Sequence, residues 1–175
     1  FFPDGKVAIT EVMAASAEAH DALWRFLVGI DLFPNVEYWN QPLDDELRWR
    51  VTEPRQVRRE ISDSLWLRVL DVPAALSGRD YAIEGDLRLG IHDPMYPDND
   101  GTYLLSVTRD ATNCWPVDEE PDIRLEIDAL GAILLGGRRL GSLARSGRVS
   151  GSAEVIRHAD SLFTWDPAPW CPEVF

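Results

Sequence analysis

The sequence predicts an α+β protein in two subdomains, and three observations carry that reading. Strand-like and helix-like segments alternate over residues 6–70. Short strands separated by turn residues then follow one another over residues 85–127, and amphipathic helices fill most of what remains. Val72-Pro73 marks the change of character and places the join between the subdomains.

Residues 6–12 alternate and are rich in β-branched side chains, which predicts a strand. Ser16 is placed to cap a helix through its side-chain oxygen, and Glu18 in the first turn suits the positive end of the helix dipole. Ala22, Leu23, Phe26 and Leu27 give that helix an apolar face, and Gly29 ends it. Residues 35–39 read as a second short strand. Pro42, followed by Asp44 and Asp45, opens another helix, and residues 64–70 alternate as a third strand.

Beyond the join, residues 73–76 form a short helix leading to Arg79-Asp80-Tyr81. Strands are expected over 85–92, 102–108 and 111–115. The Pro, Asp, Asn and Gly residues of 93–101 make a hairpin loop between the first two. Residues 123–127 alternate again, and Asp128 is placed to cap a helix running to Gly136-Gly137. Helices over 140–145 and 153–163 lead into the tail.

The composition narrows the function classes. The 175 residues are 45% hydrophobic, so the chain is not intrinsically disordered. No apolar run approaches the roughly 20 residues that a membrane-spanning helix needs. Thirty acidic residues against 17 basic ones give a net charge of −13. That balance argues against nucleic acid, whose phosphates require a basic surface, and favours cationic ligands such as polyamines or aminoglycosides. Cys114 and Cys171 make no disulfide framework and no metal-ligand spacing, which predicts a reduced, cytoplasmic protein without a metal. The opening Phe1-Phe2-Pro3-Asp4-Gly5 lacks an initiator Met and a leader pattern, and reads as a cut into a longer protein or a processed chain.

Several motifs compete for attention. Gly136-Gly137-Arg138-Arg139-Leu140-Gly141-Ser142-Leu143 has the look of a phosphate loop, but it follows a helix and lacks the last small residue. A helix–helix turn is the better reading. Glu154 and His158 share a helical face without further ligands, and His92-Asp93 belongs to a turn. Aromatic residues with carboxylates nearby are the remaining signal. Trp39 ends a strand before Asp44 and Asp45, while Trp170 and Glu173 lie in the tail. Together they would suit a polyamine pocket, and core packing is the competing use of the tryptophans. The tail itself, Pro167-Ala168-Pro169-Trp170-Cys171-Pro172-Glu173-Val174-Phe175, is unusually stiff and aromatic for a terminus. It is either a strap over part of the core or an arm that brings the α-carboxylate of Phe175 into a cleft.

Taken together, these segments resemble the C-terminal portion of the Eis-type (enhanced intracellular survival) acetyltransferases. The likeness is carried by Glu11-Val12 with the helix after Ser16, by Trp66-Leu67-Arg68-Val69-Leu70-Asp71-Val72-Pro73-Ala74-Ala75-Leu76, and by Arg79-Asp80-Tyr81. Residues 130–137 and the Phe-terminated tail complete it. The resemblance implies two GNAT acetyltransferase units followed by a sterol-carrier-protein-like domain. Residues 1–72 then correspond to the back half of the second, degenerate GNAT-like unit. Residues 73–175 correspond to the sterol-carrier-protein-like domain, a mixed sheet with flanking helices.

The same resemblance implies a division of labour. Acetyl-CoA and a tyrosine acid belong to the first GNAT unit, so this portion holds no cofactor and is inactive alone, acetyl-CoA being the co-substrate of the full-length protein. The implied substrates are amines of polycations, of aminoglycoside or lysine type. The implied base is the terminal carboxylate of Phe175, with Trp39 and Glu173 as substrate-cleft residues, to which the aromatic reading of the tail adds Trp170. Its implied partners are the missing N-terminal GNAT unit and further copies in a trimer or hexamer. A lipid-binding or oligomerisation module without catalysis is the alternative, since sterol-carrier-like sheets can enclose an apolar tunnel.

Overall fold

A computed structural model describes residues 5–173 and divides the chain into two units, Phe1–Ser64 with Trp170–Phe175, and Leu65–Pro169. The first unit is built on two parallel strands, β1 (Lys6–Ile9) and β2 (Asn35–Tyr38), in register from Lys6 opposite Asn35 to Ile9 opposite Tyr38. Parallel neighbours need a crossover, supplied here by α1 (Ala17–Val28). Ser16 caps α1 as expected, its hydroxyl accepting from the Ala19 N–H at 3.2 Å, and the Gly29 N–H closes the other end on the Arg25 and Phe26 carbonyls. β1 stops at Ile9 rather than continuing to residue 12, and the Val12 N–H donates instead to the Tyr38 hydroxyl. The next helix also starts late. Pro42 accepts from the Asp45 N–H in a turn, and only then does α2 (Leu47–Arg50) begin, with the Asp45 carboxylate taking the Leu47 N–H at 2.8 Å.

Among the described apolar side chains of this unit, only Ile9 and Trp24 are buried. Phe26, Val28, Leu32, Trp39, Trp49 and Ile61 are exposed, Trp49 by 85%. Two buried side chains bury too little apolar surface to offset the ordering of some 60 residues.

The second unit is complete by the same measure. Its five-stranded mixed sheet runs β5-β4-β3-β6-β7, with β3 Gly85–His92, β4 Gly101–Val107, β5 Thr112–Val117, β6 Ile123–Glu126 and β7 Val149–Gly151. β3 pairs antiparallel with β4 and parallel with β6. Period-two alternation aims Leu87, Leu89 and Ile91 of β3 at one face, where Tyr103, Leu105, Ile123 and Leu125 join them. That face is covered by α3 (Val72–Ser77), α4 (Ile127–Leu134), α5 (Leu140–Arg145) and α6 (Ala153–Phe163), whose Leu76, Leu130, Ile133, Leu140, Leu162 and Phe163 are fully buried.

Two expectations for this unit are corrected. Residues 64–70 pair with no strand among the described residues. Val69 is buried, Leu67 is half-buried and Trp66 is exposed, so the alternation is real. It records packing on one side rather than a ladder, for the Leu67 carbonyl lies against α4, 2.9 Å from where a Cβ on Gly131 would stand. Asp128 is not a cap either. Glu126 holds that position, while Asp128 sits inside the first turn and pairs with Arg148. The three-residue strand β7 carries too little pattern to be foreseen.

Two buried polar contacts hold the sheet and helices together. Asp93, fully buried at the end of β3, organises the hairpin loop. It accepts from the Met95 and Tyr96 N–H groups, from Asn99 Nδ2 at 3.0 Å and from Arg68 Nη2 at 2.5 Å. Burial alone would raise its carboxyl, but these donors hold it at about 2. Arg79 donates to the Leu134 carbonyl at 2.6 Å and to the Phe163 carbonyl at 3.2 Å, at the ends of α4 and α6, and stacks on Tyr81 and Phe163. No helix among the described residues is long and apolar enough to cross a membrane.

Candidate functional site

The predicted site residues that fall within the described chain, Trp39, Trp170 and Glu173, all belong to the first unit. Trp39 follows β2 directly, and its ring is 58% exposed. Asn40, next in the chain, meets the tail. Trp170 Nε1 donates to the Asn40 main-chain carbonyl at 3.1 Å and to Oδ1 at 3.2 Å. In return Asn40 Nδ2 donates to the carbonyls of Cys171 and Pro172, each at 3.2 Å. Trp170 is therefore brought to the residue beside Trp39, and Glu173 is exposed one residue beyond the last of these contacts. Phe175, the predicted base, lies outside the described residues.

The end of β2 is braced from behind. Tyr38 and Trp24 lie with ring centroids 6.3 Å apart, and His20 packs on Trp24 at the same separation. His20 Nε2 stands 3.1 Å from both Trp24 Nε1 and Asp45 Oδ2, while its buried Nδ1 has no partner among the described residues. Asp45 in turn holds the start of α2. Burial chiefly, with Asp45 and Glu11 nearby, pushes the Tyr38 hydroxyl up, so it is a neutral donor and acceptor here. Sequence reading grouped Trp39 and Asp45 with Trp170 and Glu173 as a polyamine pocket. It missed Asn40, because the contacts that give Asn40 its role span some 130 residues and leave no local signal.

This portion does not fit a coenzyme A pyrophosphate. Where a GNAT unit needs a glycine-rich turn before a helix N-terminus, α1 has Ser16, whose hydroxyl already takes the Ala19 N–H. Glu18 adds an anion to the first turn. Hydrogen bonds from its own backbone N–H and from Ser16 hold its carboxyl below the ordinary range, so it is ionised at neutral pH and opposes a phosphate. The second glycine-rich segment is the turn between α4 and α5. Any Cβ on Gly136 (φ +82°) would meet Trp165 at 2.6 Å, and one on Gly137 would meet Pro169 at 2.6 Å, so chain already fills both places.

Elsewhere the candidates have structural uses. His158 lies over Gly85 and approaches the Asp86 carbonyl at 3.3 Å. Asp160 pairs with Arg139 and accepts from the Gly141 N–H. Cys114 is free, and burial, with Asp71 a smaller contributor, pushes its thiol up to about 11. No group of three or more His, Cys, Asp or Glu side chains among the described residues is arranged to hold a metal ion.

Comparison with known proteins divides the chain near residue 70 instead, and includes residues 170–172 with the second part. The family described as sterol carrier protein domain matches residues 72–172, and the acetyltransferase (GNAT) domain family matches residues 2–69. An uncharacterized N-acetyltransferase of Streptomyces coelicolor is 34% identical over 172 residues, covering 98% of this chain and 42% of that protein. N-acetyltransferase Eis of Mycobacterium tuberculosis is 33% identical over 161 residues, covering 90% of this chain and 39% of its own length. The crystal structure of Eis1 from Mycobacterium abscessus aligns with a TM-score of 0.84 and 35% identity, covering 97% of this chain and 43% of that one. The chain thus spans about two fifths of the length of the curated relatives it matches. It belongs to the sterol carrier protein domain family, carried behind part of a GNAT acetyltransferase domain in an Eis-like arrangement.

Proposed function

We propose that this chain is the rear portion of an acetyl-CoA-dependent N-acetyltransferase that acts on amines of polycationic substrates, of aminoglycoside or lysine type. The observation that carries the reading is the unfinished core of the first unit, where, among the described residues, Ile9 and Trp24 are buried and ten large apolar side chains are exposed. Such a surface is completed by another folded body, and the missing N-terminal GNAT unit is the natural one. The same chemistry supports a coenzyme site in that unit, since α1 offers no phosphate cradle here.

In this reading, residues 1–72 back the substrate side and residues 73–175 form the carrier-like domain. Trp39 and Trp170 present aromatic faces to the cationic substrate, and Glu173 pairs with one of its ammonium groups. The terminal carboxylate of Phe175 takes the proton from the reacting ammonium, leaving the nitrogen lone pair free to attack. An α-carboxyl ionises at about 3.5 in water, so it serves as base only where the cleft desolvates it against the ammonium. Acetyl-CoA supplies the acetyl group; the nitrogen–carbon bond forms as the carbon–sulfur bond breaks, and the thiol leaves.

The test is an acetyl-transfer assay on the full-length protein with polyamine, aminoglycoside and lysine-peptide acceptors, following release of the coenzyme thiol. Turnover with a polycationic amine is expected, with none from residues 1–175 alone. Absence of turnover by the full-length protein with every amine would overturn the reading. The sterol-carrier family match supports a second reading, a lipid-binding module. It ranks below the first because the apolar face of α4, the natural wall of a tunnel, is used up in the core by Leu130 and Ile133. Lipid retained through purification, and displaced by a fluorescent fatty acid, would reverse the order.

A further inference from the structure

We propose that Asn40 is a positioning residue, a clasp that fixes residues 170–173 against the end of β2 and so sets where Trp170 and Glu173 stand relative to Trp39. Its consequence for turnover rests on the acetyltransferase reading; the clasp itself rests on the hydrogen bonding alone.

The geometry uses the full chemistry of a carboxamide. Asn40 Oδ1 and the Asn40 carbonyl share the indole N–H of Trp170, at 3.2 and 3.1 Å. Nδ2 donates to two successive tail carbonyls, those of Cys171 and Pro172. One short side chain must therefore accept from one neighbour and donate to two others. Aspartate has the shape but no donor, and would face two carbonyl oxygens with a negative charge. Alanine and serine do not reach.

The tail needs such a clasp because of its own composition. Pro167, Pro169 and Pro172 have no N–H and cannot build a ladder or a helix, so residues 170–173 carry no regular secondary structure. Their stiffness then makes one anchoring point effective, since fixing Trp170 to Pro172 restricts Glu173 beside them. Asn40 is itself well held, one residue past Trp39 and two past Tyr38, whose ring packs on Trp24. A strand end braced in this way is a firmer platform than a loop.

The tail also carries its own reporter. Cys171 is free and half-buried beside the clasp, while Cys114, half-buried against the core of the other unit with its thiol pushed up to about 11, reports on unfolding there. The experiment uses the full-length protein with Asn40→Ala, Asn40→Asp and Trp170→Phe, and follows iodoacetamide alkylation of each cysteine by peptide mass. Acetyl transfer is measured on the same samples. Asn40→Ala and Asn40→Asp are expected to speed alkylation of Cys171 by about tenfold, as the loss of several hydrogen bonds of modest strength implies, with Cys114 unchanged. Trp170→Phe removes only the indole donor and should give a smaller rise. KM for the polycationic acceptor should rise more than kcat falls. Faster alkylation of Cys171 with unchanged KM leaves the clasp standing and removes Trp170 and Glu173 from the substrate cleft. If in none of the three variants Cys171 accelerates apart from Cys114, the clasp is overturned.

Discussion

Replacing Arg79 by methionine should destabilise the unit Leu65–Pro169 by about 2 kcal/mol, on the following reasoning. The guanidinium donates to the Leu134 and Phe163 carbonyls, which close α4 and α6 and have no intrahelical partner. Two charge-assisted hydrogen bonds contribute roughly 1.5 kcal/mol each, so their loss costs about 3 kcal/mol. Methionine keeps an apolar stem over Tyr81 and Phe163, and relief of a half-buried guanidinium returns about 1 kcal/mol. Burial already holds the Arg79 pKa below its usual value, the sign expected of a cation that gains less from solvent than it would outside. In a unit of this size the loss corresponds to a fall in Tm of about 8 °C by calorimetry. Arg79→Lys should not rescue it, because one ammonium cannot span both carbonyls. A change under about 2 °C for Arg79→Met, or full rescue by lysine, would refute the argument.

Two further outcomes follow from the same contacts. Asp93 is held at about 2 in the folded chain against 3.8 for a free side chain, so its contribution is fully present above pH 4 and is lost as pH falls toward 2; Asp93→Asn should flatten that acid limb in a circular-dichroism titration, and an unchanged limb would show that the charge is unimportant. A fragment of residues 65–169 should unfold cooperatively on its own, whereas residues 1–64 should bind a hydrophobic dye and show no cooperative transition, because among the described apolar side chains there only Ile9 and Trp24 are buried.

Much of the fold was legible because its signals are local. Ser16 and Gly29 bracket α1, turn residues mark the loop between β3 and β4, and the helical periods of α5 and α6 gave their bounds without correction. Residues 64–70 misled because alternation reports a buried side, and a helix covers that side as well as a strand would. The site was legible only in pieces. Trp39 and Trp170 stand out by type, but what joins them is Asn40, an unremarkable polar residue made important by a contact across 130 positions. Arg79 shows the same limit. Its motif was visible beside Asp80 and Tyr81, while its purpose lies in carbonyls 55 and 84 residues away.

The proposed role of the Phe175 carboxylate as base is tested most directly by moving that carboxylate. One glycine appended after Phe175 in the full-length protein shifts that group by one residue and leaves every described contact in place. The account predicts a fall in kcat of about a hundredfold or more, in the range typical of a lost general base, with KM changed far less. Turnover that survives the added residue unchanged would contradict it.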